Sequence, residues 1–417
     1  MITVAETEKK SGYQSADAIA QNFDLFSVNP DYFIDPEPYR AALRDHSPIH
    51  QNRDGSVLLT RYADVVEIWR DTTGLVDKSE QFRGRFGDGP LLEHHTSTML
   101  FRDPPDHDRL RAIVKPFFSN RSVVRLEEMI GRLVDQTLDE IADKGEFDFV
   151  SEFAFQIPIK VICNILGVPI SDALTIHKMG QAILFPLNPN ASREEITHGH
   201  KQAQAFKDYL APHVGRTRAM STIDPQENII CAMIAAERGG EKISDDEILH
   251  MCILMLNGGH ETTTNLMGVA THYLLDAPDQ LADLRQNPEV ISTGIEELLR
   301  LVSPIQLQGR RTTRRVEISS GAVEADTEVV LSPGSANRDP RFFEDADRMN
   351  LRRRRNQHVT FGAGIHSCVG MPLARLEAST ALPRFFGRFS SIERAGPHEF
   401  NRNLRFRGLR TLPLRAR

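Results

Sequence analysis

Residues 361–370 place a single cysteine, Cys368, between a glycine-rich turn and the start of a helix. Gly362 and Gly364 allow the backbone to fold closely around the thiol. The segment that follows, 371–378, is predicted to be helical, so the thiol lies near free backbone N–H groups and the positive end of the helix dipole. This environment favours the thiolate, which is the form that binds metal. A single thiolate among such backbone donors suits the axial ligand of a haem.

A second segment with unusual chemistry lies in the middle of a long predicted helix. The helix begins at a capping box formed by Ser244 and Glu247, and it is predicted to run to Asp276. Residues 257–264 read Asn-Gly-Gly-His-Glu-Thr-Thr-Thr, and they reduce the helix propensity by about 3 kcal/mol. Residues that disfavour the secondary structure in which they lie are expected at functional sites. We expect the glycines to admit a flat cofactor and a threonine hydroxyl to open the helix locally.

The cysteine loop resembles the haem-binding loop of the cytochrome P450 family. All fixed positions of that loop are filled here, among them Phe361, Cys368 and Gly370. A buried structural cysteine, which is the alternative, would explain neither the spacing nor the other motifs. The resemblance implies haem b as the cofactor and Cys368 as the metal ligand. It also implies a fold that is mainly α with a minor β region, in which one long central helix crosses over the haem.

The glycine–threonine segment of the central helix is similar to the oxygen-binding groove of the same family. The match consists of Gly258, Gly259, Glu261 and Thr262. The resemblance implies that Gly258 lies against the cofactor, that Thr262 orders a chain of water molecules, and that Glu261 relays protons. The alternative is a structural kink with a solvated glutamate. His260 occupies the variable position of the pattern and needs no catalytic role.

Further charged residues match structural and cofactor-binding positions of the family. Glu297 and Arg300 are predicted to share one helix face, and with Arg348 they resemble a charged triad that braces the cysteine loop. Four residues match positions that bind the two haem propionates, with Arg310 as the register alternative to one of them. These four residues are His107, Arg111, Arg311 and His366. For each of them the alternative is an ordinary surface cation.

The substrate pocket can be predicted only by resemblance to the family. It is expected to be lined by the loop at 83–101, by a helix pair at 170–200 and by five individual residues. These five are Leu254, Asn257, Ile305, Leu307 and Phe406. Asn257 stands where an apolar residue is common, so it can contact either a polar group of the substrate or a water molecule.

Composition excludes several classes of protein. The 417 residues include 40% hydrophobic and 26% charged residues, which is typical of a globular protein. The formal net charge of −7 argues against a general nucleic-acid binder. The four cysteines are widely scattered and lack the spacing of a disulfide framework or a zinc cluster. The amino terminus lacks an apolar leader and no stretch has membrane-spanning length, so we expect a soluble, bacterial-type, cytoplasmic protein with no membrane contact.

The predicted organisation is one large domain preceded by a short arm. We assign residues 1–25 to a loosely ordered amino-terminal arm and residues 26–417 to a haem-thiolate domain. Residues 72–105 are rich in Gly, Pro, Thr and His and are predicted to form a long loop. Alternating β-branched residues at 316–318 and 327–331 predict short strands.

These features predict a haem-thiolate monooxygenase that inserts one oxygen atom from O2 into a small or medium hydrophobic substrate. No flavin or dinucleotide motif follows the domain, so a separate ferredoxin or flavodoxin, with its reductase, is expected to supply electrons. A basic run in an otherwise acidic chain predicts where that protein docks; it consists of Arg352, Arg353, Arg354 and Arg355. We expect a monomer. A peroxide-driven peroxygenase, a non-catalytic haem sensor and a zinc-binding scaffold remain alternatives.

Overall fold

The computed structural model describes residues 15–71, 73–188 and 191–417. These residues are mainly helical, with small sheets, so the predicted fold class is confirmed. Their α-helices are α1 (Ala16–Asn22), α2 (Asp31–Ile34), α3 (Glu37–His46), α4 (Tyr62–Arg70), α5 (Ser79–Phe86), α6 (Pro90–Thr96), α7 (Asp106–Val114), α8 (Asn120–Val123), α9 (Glu127–Ala142), α10 (Gln156–Leu166), α11 (Ala173–Leu184), α12 (Arg193–Ala219), α13 (Ile229–Arg238), α14 (Asp245–Leu275), α15 (Pro278–Gln286), α16 (Ile291–Val302), α17 (Pro333–Ala336) and α18 (Met371–Arg388).

The strands of the described residues are short and form small sheets. They are β1 (Ile49–Gln51), β2 (Val57–Leu59), β3 (Glu146–Asp148), β4 (Gln308–Arg311), β5 (Val316–Ile318), β6 (Gly321–Val323), β7 (Glu328–Leu331), β8 (Ile392–Arg394), β9 (Glu399–Phe400), β10 (Leu409–Thr411) and β11 (Pro413–Ala416). One sheet has the order β1-β2-β7-β4, in which only β2 and β7 run parallel. A second sheet has the order β3-β11-β8, and two antiparallel pairs join β5 to β6 and β9 to β10. The two predicted strands are confirmed as β5 and β7.

The central helix α14 begins at the predicted capping box. The hydroxyl of Ser244 accepts from the N–H of Glu247 at 3.1 Å, and the Glu247 carboxylate accepts from the N–H of Ser244 at 2.9 Å. Most side chains of α14 are buried, and the helix packs against α10, α11, α12, α16 and α18. Its predicted course through the core is therefore confirmed. Within the described ranges, no helix combines the length and the apolar character that crossing a membrane requires.

The prediction of a loosely ordered arm is wrong for residues 15–25. Ser15 caps the helix α1, which packs against α3. Phe23 and Leu25, which follow α1, are buried in a hydrophobic cluster with residues of α2 and α3. The order of this segment therefore comes from packing against distant residues, which a local sequence pattern does not reveal. Residues 1–14 of the arm lie outside the described residues.

The prediction of one long loop at 72–105 is also wrong, because α5 and α6 lie within it. Phe82 and Phe86 of α5 are buried, as is Leu91 of α6. Each helix has only two turns, so neither is long enough to show a helical period in the sequence. The packing of α6 against α12 positions this segment.

Candidate functional site

The cysteine loop and the central helix α14 line the same cavity. Cys368 and Phe361 contribute from the loop, and Gly258 and Thr262 contribute from α14. About 1470 Å³ of the cavity is free of protein atoms, and part of that space is open to solvent. The two segments that carry the chemistry in the sequence are thus brought together by the fold.

Backbone geometry holds Cys368 at the edge of this cavity. Its N–H donates to the carbonyl of Phe361 at 2.9 Å. Gly362 and Gly364 have φ angles of 72° and 75°, in the left-handed region that glycine adopts without strain. A side chain at Gly364 would also collide with the backbone carbonyl of Trp69. The loop therefore depends on its two glycines, as the sequence indicates.

Opposing effects shift the pKa of the Cys368 thiol. Burial raises the pKa of Cys368 above its ordinary value, and this effect is the larger. The backbone N–H groups of Gly370 and Met371 and the positive charges of Arg111 and Arg375 lower the same pKa. The helix N-terminus therefore acts in the predicted direction but does not by itself produce a thiolate. Coordination to a metal ion would deprotonate the thiol outright.

The two glycines of the α14 segment serve different purposes. A Cβ atom added to Gly258 would meet no atom within 4 Å, so the helix presents open backbone to the cavity at this point. A Cβ atom added to Gly259 would lie 2.9 Å from Cδ1 of Ile162 on α10. Gly258 therefore fits the predicted position against a flat cofactor, whereas Gly259 permits the close packing of two helices.

The residues predicted to handle protons follow these glycines. Thr262 lines the cavity, and its hydroxyl donates to the carbonyl of Gly258 at 3.0 Å. Thr264 donates in the same way to the carbonyl of His260 at 2.9 Å, but it is not part of the cavity wall formed by the described residues. Burial raises the pKa of Glu261 to about 7. Its carboxyl group can therefore hold or release a proton near neutral pH, from a position adjoining that wall.

A pair of histidines joins α14 to α11. Nε2 of His260 lies 2.6 Å from Nδ1 of His177, and Nδ1 of His260 lies 3.0 Å from the carbonyl oxygen of Leu256. Because the carbonyl can only accept, Nδ1 of His260 donates to it and Nε2 accepts from His177. Burial lowers the pKa of both histidines to about 4, so both are neutral at neutral pH. His260 is thus a packed residue. Its contact with His177 could not be predicted from the sequence, because the two residues are far apart in the chain.

Three of the four predicted propionate ligands meet at the cavity wall. His107, Arg111 and His366 all line the cavity, and the two imidazole rings lie 4.1 Å apart. Nε2 of each imidazole is buried and has no hydrogen-bond partner within the described residues. Arg111 also donates to the carbonyl of Ser367 at 2.7 Å. Unpartnered nitrogen atoms beside a guanidinium group suit two carboxylates, so this wall fits the propionates of a haem whose iron Cys368 would bind.

The prediction of Arg311 as a propionate ligand is wrong, and its register alternative Arg310 is the buried residue. Arg311 is exposed and forms an ion pair with Asp326 at 3.4 Å. Arg310 is 8% exposed and stands opposite the buried Val329 in the pairing of β4 with β7, so its side chain points inward. Burial lowers the pKa of Arg310 to about 10. Burial and nearby positive charges, that of Arg310 among them, lower the pKa of His366 to about 3.

The predicted charged triad exists with a different third member. Arg300 donates to the completely buried carboxylate of Glu297 through two hydrogen bonds of 2.8 Å. Nε of Arg353 donates to the same carboxylate at 2.9 Å. The side chain of Arg348 is exposed, and this residue contributes its backbone carbonyl, 3.5 Å from Nη2 of Arg300. The prediction of Arg348 as the third side chain is therefore wrong, and Arg353 takes that place.

This arrangement leaves only part of the basic run available to a partner. Nε of Arg352 donates to Asp283 at 2.7 Å, and Arg353 is occupied by the buried triad. Arg354 and Arg355 are exposed and form no ion pair with any described residue. The predicted docking surface is thus reduced to these two arginines.

Most of the predicted pocket residues line the cavity. Leu254, Asn257, Ile305 and Phe406 do so. The prediction is wrong for Leu307, which packs against the hydrophobic cluster around α1 and α3. Between residue 305 and the start of β4 the chain leaves the cavity and enters the sheet, so the side chain of Leu307 meets this other cluster.

Asn257 is the unusual polar residue of the pocket. It is 4% exposed, and neither polar atom of its amide has a hydrogen-bond partner within the described residues. Its Oδ1 lies so close to Gly180 of α11 that a side chain at position 180 would collide with it. An unpartnered buried amide is unfavourable, so its position in the cavity wall favours a contact with a polar group of a ligand or with water.

Sequence reasoning missed several residues of the cavity wall. Glu377 of α18 is completely buried in this wall, and both of its carboxyl oxygens lack a hydrogen-bond partner within the described residues. Burial raises the pKa of Glu377 well above its ordinary value, which favours the protonated form of its carboxyl group. The apolar residue Phe118 also lines the cavity and lies outside the predicted segments, whereas Met99 and Leu184 line it from the loop at 83–101 and the helix pair at 170–200, as predicted. Nothing in the sequence distinguishes Glu377 or Phe118 from other buried residues.

The chain is similar to known proteins over most of its length. The sequence model of the family described as Cytochrome P450 matches residues 50–409. The chain is 32% identical to the polyketide biosynthesis cytochrome P450 PksS of Bacillus subtilis (strain 168), over 92% of this chain and 96% of that protein. It is 33% identical to the 6-deoxyerythronolide B hydroxylase of Saccharopolyspora erythraea, over 90% of this chain and 94% of the hydroxylase.

Solved structures show the same fold. P450BioI, in a complex with an acyl carrier protein ligated to hexadec-9Z-enoic acid, superposes with a TM-score of 0.87 at 29% identity. The superposition covers 93% of this chain and 100% of that chain. The fold predicted from the sequence resemblance is thereby confirmed.

Proposed function

Because the chain belongs to the cytochrome P450 family, it is a haem b monooxygenase that uses O2, an organic substrate and a redox partner, and we propose that its substrate is a small or medium hydrophobic molecule. The side chains of Leu254, Ile305 and Phe406 support this proposal, because they give the cavity wall an apolar character. The acyl chain in the complex of the related P450BioI is also apolar.

The single observation that carries the assignment of the site is the position of Cys368 in the same cavity as the open backbone of Gly258. In our proposal the haem occupies this cavity with the Cys368 thiolate on its iron. When bound, the haem supplies the chemistry that activates O2 and oxidises a C–H bond, and the thiolate donates electron density to the iron. The propionates are held by His107, Arg111, Arg310 and His366.

Proton delivery is assigned to the two polar residues that follow the glycines of α14. Thr262 orders water in the cavity, because its hydroxyl lies in the wall and keeps a lone pair free while it donates to the Gly258 carbonyl. Glu261 exchanges protons with that water, since its pKa of about 7 lets both protonation states exist near neutral pH. A peroxide-driven enzyme would not need this pair.

Electrons are proposed to come from a separate ferredoxin or flavodoxin. Arg354 and Arg355 form an exposed basic pair in a chain with a net charge of −7, a short distance in sequence before the cysteine loop. Such a local reversal of charge would steer an acidic redox protein toward this face, and the steering would weaken with salt.

The iron ligand is tested by the spectrum of the reduced protein with carbon monoxide. Cys368→Ser should lose the thiolate-type absorption band and monooxygenase turnover. The matched control is Cys252→Ser in α14, a buried cysteine outside the cavity wall of the described residues, which should keep the band. A thiolate-type band in Cys368→Ser would refute the assignment. Turnover with hydrogen peroxide but not with NAD(P)H and a ferredoxin–reductase pair would favour the peroxygenase instead.

The role of Thr262 is tested against a threonine that makes the same helix contact. Thr262→Ala and Thr264→Ala each remove one hydroxyl that bonds to a carbonyl four residues earlier, but only the first hydroxyl faces the cavity. Thr262→Ala should consume NAD(P)H with much of the oxygen released as hydrogen peroxide, whereas Thr264→Ala should stay coupled. Equal coupling in the two variants would mean that Thr262 has only a structural role.

A further inference from the structure

Asn257 carries a primary amide that is buried in the cavity wall without a partner. The side chain is 4% exposed, and neither Nδ2 nor Oδ1 forms a hydrogen bond with any residue that the structure describes. The amide can donate two hydrogen bonds and accept two. Leaving a buried donor and a buried acceptor unpaired is costly, so the partner of this amide has to come from the cavity.

The packing of α11 against α14 shows why the protein itself supplies no partner. Nδ1 of His177 on α11 lies 2.6 Å from Nε2 of His260 on α14, and this pair satisfies a buried polar side chain with another side chain. Gly180 lies three residues further along α11, and Asn257 lies three residues earlier on α14. The helices run antiparallel here, so the second pair of residues meets one turn away from the first. At this second pair, the glycine opposite the amide offers no side-chain group.

The same glycine determines where the amide lies. A Cβ atom added to Gly180 would overlap with Oδ1 of Asn257 and would lie 3.3 Å from Cδ2 of Leu256. The amide therefore fills the space that a side chain at position 180 would take, and packing against α11 restricts its rotation. A ligand thus meets a hydrogen-bonding group whose position is set before binding, which reduces the entropy that is lost on binding.

A single water molecule is a poor partner for this amide. A buried water molecule is typically held by about two to four polar groups. On the cavity face of α14, Leu254 lies one turn before Asn257, and Gly258 follows it without a side chain. Gly180 on α11 adds no side-chain donor or acceptor. An oxygen atom that belongs to a larger ligand needs no such additional polar groups, because contacts with the rest of the ligand hold it in place.

The charge distribution of the cavity wall indicates that the ligand group is neutral. The ionisable side chains that the described part of the chain contributes to this wall come from α7, the cysteine loop and α18; they are His107, Arg111, His366, Cys368 and Glu377. The residues of α14 that line the same wall are uncharged. A carboxylate or ammonium group beside Asn257 would lose its hydration without gaining an opposite charge. A hydroxyl or carbonyl group can bond to the amide without that penalty.

We propose that Asn257 binds a hydroxyl or carbonyl oxygen of the substrate, whose apolar remainder contacts Leu254, Ile305 and Phe406. This inference rests on the proposed function and narrows its substrate class to hydrophobic molecules that carry a neutral oxygen-bearing group. Asn257 precedes Thr262 by five residues on α14, which corresponds to about 8 Å along the helix axis. The hydrogen bond holds the oxygen-bearing group at this distance from Thr262, so oxidation occurs at a carbon atom several bonds away from that group.

The test compares ligands that differ only in the oxygen-bearing group. Decalin and cyclododecane, their ketones and their secondary alcohols are titrated against the haem-containing enzyme, with the spin-state change of the haem spectrum as the readout. The wild type should bind the ketones and alcohols. Asn257→Ala should raise their Kd about tenfold relative to the Kd of the parent hydrocarbons, since it removes the hydrogen bond to the oxygen atom. Asn257→Leu, which keeps the size of the side chain, should shift this ratio of Kd values in the same direction.

Asn265→Ala is the matched control. Asn265 is a buried asparagine of the same helix whose Nδ2 also lacks a hydrogen-bond partner within the described residues, but it does not belong to the cavity wall that those residues form. This variant should leave the ratio of Kd values unchanged.

Three results would overturn the proposal: equal Kd changes for hydrocarbons and oxygenated ligands in the Asn257 variants, the same shift of the ratio in Asn265→Ala, or a wild type that binds none of the oxygenated ligands. Equal changes would mean that Asn257 only shapes the cavity or holds water. A missing thiolate-type carbon monoxide band in the wild-type enzyme would instead refute the proposed function, so the two failures are distinguishable.

Discussion

Replacing Arg310 by glutamine tests whether this residue, and not Arg311, binds a haem propionate. The lowering of the Arg310 pKa to about 10 means that its charge destabilises the folded haem-free protein by roughly 3 kcal/mol. The folded haem-free protein holds this proton less tightly than the unfolded chain, so the charge opposes folding at every pH below about 10, including neutral pH. Arg310→Gln also removes the hydrogen bond to the Gly309 carbonyl, which contributes about 1 kcal/mol. The haem-free variant should therefore be more stable than the wild type by about 2 kcal/mol.

The haem-containing protein should respond in the opposite direction. There the guanidinium group has its anion, and a charge-assisted hydrogen bond contributes about 1.5–3 kcal/mol. Arg310→Gln should thus weaken haem binding by about tenfold to a hundredfold. Arg311→Gln is the matched control, since it changes the neighbouring residue of the same strand, whose side chain is exposed and paired with Asp326.

Two measurements separate these outcomes. Haem transfer to excess apomyoglobin, followed in the visible spectrum, should be at least about tenfold faster from Arg310→Gln and within about twofold of wild type from Arg311→Gln. Urea unfolding of the haem-free proteins should show the stabilisation in Arg310→Gln only. Equal rates of haem loss from the two variants, or a destabilised haem-free Arg310→Gln protein, would refute this reasoning.

Three further predictions concern other parts of the site. Glu261→Gln should remove an ionisation near pH 7 from the pH profile of turnover, because burial raises the pKa of this carboxyl to about 7; a profile that keeps the inflection would assign it to another group. Arg353→Gln should lower the free energy of unfolding in urea by about 2–3 kcal/mol, while Arg348→Gln should change it by less than about 0.5 kcal/mol. A larger loss of stability in Arg348→Gln than in Arg353→Gln would show that Arg348 is the third member of the triad, as the sequence predicted. Changing Arg354 and Arg355 to Glu should slow reduction by a ferredoxin several-fold at low salt and little at high salt, without altering the carbon monoxide spectrum; rates that are independent of salt in both proteins would exclude docking there.

The sequence predicted the parts of the site that depend on local geometry. Cys368 and its glycine-rich turn lie within one short segment, and the capping box at Ser244 fixes where α14 begins. In these cases the residues that determine the local structure are neighbours in the chain, so a short sequence pattern is sufficient to predict that structure. The same holds for Gly258 and Thr262, which are one helical turn apart.

The sequence was least informative where the outcome depends on contacts between distant segments. Arg310 and Arg311 are adjacent and chemically identical, and only the pairing of β4 with the buried Val329 decides which of them points inward. Arg348 and Arg353 lie in one irregular segment, whose path decides which guanidinium group reaches the buried carboxylate. The residue types alone do not show which arginine is buried in either case. The family resemblance therefore predicted the correct segment but the wrong arginine within it.

Asn257 lies so close to Gly180 that substitutions at these two positions, which are distant in sequence, depend on each other. Because a side chain at position 180 would collide with the Asn257 amide, replacing the glycine requires this amide to move or Asn257 to change as well. A change of Asn257 to a smaller residue removes a polar group from the cavity and at the same time opens room on α11. The two substitutions should therefore be strongly non-additive, and libraries that aim to change the substrate range of this enzyme should vary both positions at once.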